Sequence, residues 1–382
     1  MSSIPYGKQH ITDDDIASVV EVLKSDFLTQ GPKVKEFEEE FANYIGVKYA
    51  VAVSNGTAAL HLSALALNVT TNTNVITTPI TFVASGNCIK FCGGNIHFAD
   101  INPSNYIIDI DKIEALLKKH PKGTFSGIIP VDFAGYPTNM EQVFQLAKEH
   151  NLWIIEDACH APGGYFIDSK GAKQNCGNGN YSDLSIFSFH PVKHIATGEG
   201  GMITTNNKKL YEKLLLLRTH GITKNPDDLE EIDGGWYYEM QELGFNYRLS
   251  DINAALGISQ LKRANENLKL RNEIALKYNN AFKDLDIKTP IVNTNFYHAF
   301  HLYVIQIENR LELYNKLREH NIFTQVHYIP MHLQPYYKQL GAKTGDFPIA
   351  EDYYSKCLSL PMYPSLNNNE IEKVIDIVSK HI

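Results

Sequence analysis

Ser188-Phe189-His190-Pro191-Val192-Lys193-His194-Ile195-Ala196-Thr197-Gly198-Glu199-Gly200-Gly201 decides how the rest of the chain is read. It lies between two strand-like runs, Leu184-Ser185-Ile186-Phe187 and Met202-Ile203-Thr204-Thr205, and holds one lysine among small and polar residues. Upstream, the apolar run Leu152-Trp153-Ile154-Ile155 ends in Glu156-Asp157. A carboxylate at the C-terminal end of a strand, then a lone lysine on a turn between strands, suggests a pyridoxal phosphate (PLP) site. The lysine would hold the cofactor as a Schiff base and the acid would pair with its ring nitrogen. Taken singly, neither residue is diagnostic. Loop lysines are mostly solvated, and an Asp at a strand end is often a turn residue or a helix cap.

A third element adds weight. The β-rich run Tyr49-Ala50-Val51-Ala52-Val53 leads into Ser54-Asn55-Gly56-Thr57-Ala58-Ala59-Leu60 and a helix to about Leu67. A strand, a small-residue turn and a helix start make an anion site, because free backbone N–H groups and the helix dipole face the ligand. Ordinary capping by Ser54 or Asn55 is the plain alternative.

Around these motifs the chain alternates. Strand-like Val75–Thr78, Ile96–Asp100 and Gly127–Val131 are followed by helical patterns opening at Thr81, Ile110 and Met140. Repeated β-then-α units predict a mostly parallel sheet covered on both faces, with ligands beyond the carboxyl ends of its strands. Asn55, Asp157 and the Lys193 turn are therefore expected to converge. At the N-terminus an extended arm precedes a helix capped by Thr12, with Asp13, Asp14 and Asp15 at its positive end. A second helix should place Phe37, Phe41, Tyr44 and Ile45 on one face. Ser250 caps a long helical region to roughly Leu285. Strand-like His301–Ile305, a helix over Leu311–His320, Thr324–Tyr328 and a last helix near Glu370–Lys380 give a smaller α+β pattern.

The whole chain sets limits on function. With 382 residues it is long enough for two domains. A formal net charge of -8 argues against a nucleic-acid partner. No apolar run is long enough to span a bilayer, and no secretory signal is visible, so a cytoplasmic location is expected. Five cysteines, an odd count in a large chain, fit reduced thiols; Cys88 and Cys92 lack a second pair that would complete a metal site.

With these motifs in hand, the chain resembles the DegT-type sugar aminotransferases, PLP enzymes of fold type I. The resemblance spans nearly the whole length. It rests on Leu28-Thr29-Gln30-Gly31-Pro32, Ser54–Leu60, Glu156-Asp157-Ala158-Cys159-His160-Ala161, Phe187–Lys193, Gly244-Phe245-Asn246-Tyr247-Arg248-Leu249-Ser250-Asp251, and Val326-His327-Tyr328-Ile329-Pro330-Met331-His332. Within the family it is similar to the subgroup of pseudaminic acid biosynthesis, on Ile4–Gln9, Ser25–Pro32, Leu217–Thr223 and Trp236–Gly244. The phosphate loop departs from that subgroup and has the commoner form of the wider family.

The resemblance implies an α/β fold, with a large PLP-binding domain over residues 1–250 and a small C-terminal α+β domain over 251–382. It implies that Lys193 is the Schiff-base lysine and that Asp157 keeps the pyridine nitrogen protonated. His160 would contact the cofactor's 3-hydroxyl, unless it is merely structural. Thr57, Ala58 and Ser188 would bind the phosphate, the first two largely through backbone N–H, and Phe82 would stack on the ring. Asn246 would reach the phosphate in the neighbouring subunit, so the enzyme would be a homodimer with shared sites. Thr29, Gln30, Arg248, His327 and Tyr328 sit in segments that approach the sugar nucleotide in relatives. L-Glutamate would be the amino donor and a UDP-linked 4-keto-6-deoxy-N-acetylhexosamine the acceptor. Other readings are a 4-aminotransferase for another nucleotide-linked 4-keto sugar, a dehydratase of the same fold, and a non-catalytic binding protein. The dehydratases carry histidine in place of the lysine, against Lys193 here. No Gly-x-Gly-x-x-Gly lies between a first strand and helix, which disfavours a nicotinamide enzyme.

Overall fold

The computed structural model describes residues 3–382. Seven strands form its central sheet: β1 (Tyr49–Val53), β2 (Asn74–Thr77), β3 (Asn95–Phe98), β4 (Gly127–Ile129), β5 (Trp153–Asp157), β6 (Leu184–Ser188) and β7 (Gly201–Thr205). Their spatial order is β1-β7-β6-β5-β4-β2-β3. All neighbours are parallel except β7, which runs antiparallel to both β1 and β6. The expected mostly parallel sheet is therefore present.

Period-2 alternation explains why both faces are covered. Val51, Val53, Ile155, Ile186 and Ile203 join one core beneath α3 (Gly56–Ala66), α4 (Ala84–Phe91) and α7 (Lys208–Arg218). Ala50, Ala52, Phe187 and Met202 point the other way, into a core shared with α2 (Pro32–Ile45) and α8 (Asp251–Leu261). Phe37, Phe41 and Ile45 are the buried stripe of α2, as their spacing predicts. Thr12 caps α1 (Asp13–Leu23) in a capping box with Asp15.

The second core gathers around the antiparallel pair Tyr303–Gln306 and Cys357–Leu360, with helices Arg310–Glu319 and Asn368–Lys380. The region expected as one long helix after Ser250 is two: α8, then α9 (Ala264–Phe282). No Gly or Pro marks the break, so the apolar pattern ran through it. Ala254, Ile258, Leu261 and Ala264 pack into the large core, whereas Ile274, Ala275, Tyr278 and Phe282 pack into the second. We propose that the seam between two domains falls within α9 rather than after residue 250. Ile4 also belongs to the second core, because Ile4–Pro5 pairs in parallel with Ile322–Phe323. No described helix is long and apolar enough to cross a membrane, and all five cysteines are free thiols.

Candidate active site

The carboxyl ends of β1, β5 and β6 meet the start of β7 at one edge of the sheet. Gly201 makes this close: a Cβ there would lie 2.5 Å from Asn55 O. A Cβ on Gly56 would meet Ser188 Cβ at 3.0 Å and Cys159 Sγ at 3.5 Å. The small residues of the turn thus let the α3 N-terminus, the β5 end and the β6 end share one cleft of about 760 Å³. Thr57, Ala58, Phe82, Asp157, His160, Ser188, Lys193, His327 and Tyr328 all line it, as does Tyr6 from the N-terminal arm.

Asp157 is buried at the end of β5. Its Oδ2 accepts from Ser85 Oγ at 2.7 Å and its Oδ1 from the Cys159 N–H at 3.2 Å. Ser85 Oγ is itself 2.7 Å from Thr81 Oγ1, so a hydroxyl chain from α4 fixes the carboxylate. Lys193 is half-buried, and its Nζ lies 3.3 Å from His301 Nε2. Burial pulls the Lys193 ammonium down to about 8, and the Arg271 cation pulls the same way against the thiol of Cys159 and the carboxylate of Asp157.

Asn55 is the N-cap of α3, and its Oδ1 accepts the Ala58 N–H at 2.8 Å. The capping reading of this turn therefore holds, and the Ala58 N–H, expected to serve a phosphate, is engaged by the cap here. The N–H groups of Gly56 and Thr57 precede it at the helix start. Ser188 Oγ accepts from the His190 N–H at 3.4 Å. Phe82 is 57% exposed although apolar, with its ring 6.2 Å from that of Tyr328. His160 is buried with both nitrogens engaged: Nδ1 accepts from the Ala134 N–H at 3.2 Å, which leaves the proton on Nε2, 3.3 Å from Tyr328 Oη. That arrangement favours the structural reading of His160. His327 Nδ1 lies 2.8 Å from Ser359 Oγ.

Thr29, Gln30, Asn246 and Arg248 lie outside this cleft. Bridges Thr29–Ser250, Val53–Arg248 and Thr219–Asn246 place them along a neighbouring strip of surface. Thr29, Gln30 and Asn246 are exposed, and Arg248 is half-buried. No carboxylate pairs with Arg248 among the described residues. Sequence reasoning missed Tyr6, Ser85 and His301. Tyr6 directly follows a strand of only two residues, Ile4–Pro5, and the other two act across 72 and 108 positions of chain.

Behind Asp157 sits a second acid pair. Asp132, Glu156 and the Cys176 thiol lie within 4.8 Å of one another, all buried. Asp132 Oδ1 accepts from the Thr138 N–H, and Glu156 accepts from Ser185 Oγ and the Gly177 N–H. Burial pushes both carboxyls up, Glu156 to about 8, with the Asp132 charge adding to the rise. A protonated Glu156 can donate to Asp132 Oδ2, which has no other partner among the described residues. Between the ordinary 4.5 and about 8 the folded chain keeps a proton that the unfolded chain releases, so stability falls as pH rises through that window. Glu156→Gln supplies a permanent donor. Its melting temperature should fall less than the wild type's from pH 5 to pH 8, in scans about one unit apart. Parallel curves would mean that Glu156 is ionised when folded.

The cleft fits PLP on its own observations. It has a fixed carboxylate for a pyridine nitrogen, an amine of lowered basicity for an aldehyde, uncommitted N–H groups at a helix start for a phosphate, and an exposed ring at its mouth.

Comparison with known proteins agrees with this arrangement. Residues 9–379 match the model of the DegT/DnrJ/EryC1/StrS aminotransferase family. The UDP-4-amino-4,6-dideoxy-N-acetyl-β-L-altrosamine transaminase of Campylobacter jejuni serotype O:23/36 is 40% identical, over 98% of this chain and 96% of its own. Helicobacter pylori PseC, an aminotransferase of pseudaminic acid biosynthesis, superposes with a TM-score of 0.88 at 32% identity, covering 100% of this chain and 99% of its own. The PLP form of Streptococcus pneumoniae Spr1654 gives a TM-score of 0.89 at 27% identity, with both chains covered completely. The sheet is that of the fold type I aminotransferases. With its lysine, acid and anion turn in one cleft, the chain belongs to the DegT/DnrJ/EryC1/StrS aminotransferase family and is an aminotransferase.

Proposed function

We propose that the chain transfers the amino group of L-glutamate to C4 of a UDP-linked 4-keto-6-deoxy-N-acetylhexosamine, with PLP as cofactor. The product would be UDP-4-amino-4,6-dideoxy-N-acetyl-β-L-altrosamine, on the route to pseudaminic acid for surface glycans or flagellin. The observation that carries transamination is Lys193 in one cleft with Asp157. The choice of acceptor rests on the likeness to the Campylobacter enzyme.

When bound, PLP supplies an electron-accepting ring for the electron pair left by a departing proton. Asp157 would hold a proton on the ring nitrogen through its fixed carboxylate. Gly56 and Thr57 N–H groups, with Ser188, would hold the phosphate at the α3 dipole. Phe82 would cover the ring. Lys193, near 8, divides between amine and ammonium close to neutral pH, so it can take a proton from the substrate carbon and return it. His327 and Tyr328, which line the cleft, would face the acceptor.

Asn246 serves the site of a partner subunit in a cytoplasmic homodimer, and Thr29, Gln30 and Arg248 approach the sugar nucleotide there. Support comes from their absence from this chain's cleft and from the exposed apolar residues beside them. Leu28, Trp236, Met240 and Leu243 are 48%, 72%, 64% and 80% exposed. The test is a panel of nucleotide-linked 4-keto sugars offered with glutamate. Amination of the UDP-linked 4-keto-6-deoxy-N-acetylhexosamine that leads to the altrosamine product, at a kcat/KM at least about tenfold above its gluco epimer and dTDP analogues, is expected. Preference for a dTDP sugar would move the reading to another 4-aminotransferase.

A further inference from the structure

We propose that His301 is a positioning residue for Lys193: its Nε2 holds Nζ in the cleft, aimed at an incoming carbonyl, whenever the lysine is not joined to the cofactor. The inference rests on the PLP reading of the cleft. His301 is 4% exposed and lines the cleft, and Lys193 Nζ, 3.3 Å away, is the partner of its Nε2. Its Nδ1 is buried with no partner among the described residues. A buried polar atom left so is costly and calls for a reason other than folding. The ring is nevertheless firmly held, with His160 4.3 Å away on one side and His194 5.7 Å on another.

The backbone under it is clamped by a buried cation. Arg271 Nη1 donates to the carbonyls of Phe300, His301 and Met362 at 3.1, 3.3 and 2.9 Å. No carboxylate pairs with it among the described residues, and its side chain is 1% exposed. Gly135 locks the same segment from the large core. It sits at φ 100°, and a Cβ there would lie 2.9 Å from Phe300 N and 2.8 Å from His160 O. Burial, with the charges of Lys193 and Arg271 nearby, pushes His301 well below its ordinary range. The imidazole therefore stays neutral. It does not take the lysine's proton; as a neutral acceptor it binds one N–H of the amine and leaves the lone pair free. That pair would be available to an aldehyde carbon, with the carbonyl oxygen and both amine protons leaving as water.

The test follows covalent capture of PLP by cofactor-free enzyme, by absorbance and by borohydride fixation at Lys193, alongside the affinity for pyridoxamine phosphate, which cannot form the bond. His301→Phe keeps the ring and removes the acceptor. It should slow capture at least about tenfold while pyridoxamine phosphate binds within about twofold of wild type. His301→Gln, which restores an acceptor, should recover most of the rate. If the phenylalanine variant does not fold, His301→Asn, whose amide stops short of Nζ, takes its place with the same expected loss. Capture within twofold of wild type, or an equal fall in pyridoxamine phosphate affinity, would overturn the positioning role and leave the cofactor reading intact. Wild-type enzyme that captures no PLP would overturn both.

Discussion

Lys193→Ala lowers amino transfer from glutamate by roughly 10²–10⁴-fold or more, because one side chain both anchors the cofactor and carries the proton. Alanine can do neither. The loss should not come from unfolding. Lys193 is half-buried, and its one side-chain hydrogen bond among the described residues is to His301. Removing an amine whose basicity burial already lowers takes no needed charge from the fold. Two measurements check this together: the rate of 2-oxoglutarate formation, and the mass of the protein after borohydride reduction. The variant should make almost no product and gain no cofactor mass. Activity within about tenfold of wild type would mean that another amine does the chemistry.

Asp157→Asn isolates charge from shape. The carboxylate accepts from Ser85 Oγ and the Cys159 N–H. An amide keeps the oxygen for Cys159, and its NH₂ can donate to Ser85, whose hydroxyl can turn towards Thr81 Oγ1. Packing should survive, but the ring nitrogen would lose the anion that keeps it protonated. The first half-reaction with glutamate, followed by stopped-flow absorbance, should slow roughly 10²–10³-fold. The melting temperature should change little. A rate within about threefold of wild type would remove Asp157 from the mechanism.

What the sequence made legible was contiguous. The strand ending in Asp157, the turn carrying Lys193 and the Asn55 turn each hold their chemistry within about ten residues, and β–α alternation was enough to bring their ends together. What it hid depends on tertiary approach. Ser85 reaches Asp157 from a helix that looked like ordinary core, and His301 reads as the first residue of a strand. Arg271 did leave a mark, since it stands on the buried stripe of α9 with Leu268, Ile274, Ala275 and Tyr278. A charge on an apolar stripe asks for a buried partner, here three carbonyls. The use of the Ala58 N–H was hidden for a different reason. Capping and anion binding use the same donors, and sequence cannot say which donor goes to which. Thr29, Gln30, Asn246 and Arg248 share a surface strip outside the cleft, and neither spacing nor periodicity in the sequence says what that strip meets.

A cleft that carries PLP on Lys193 and moves amino groups has a signature in the visible spectrum of the purified protein, before and after glutamate. A yellow band should bleach with glutamate and return with 2-oxoglutarate. A band indifferent to glutamate and to every other amino donor, or no band after PLP is added, would contradict this chemistry.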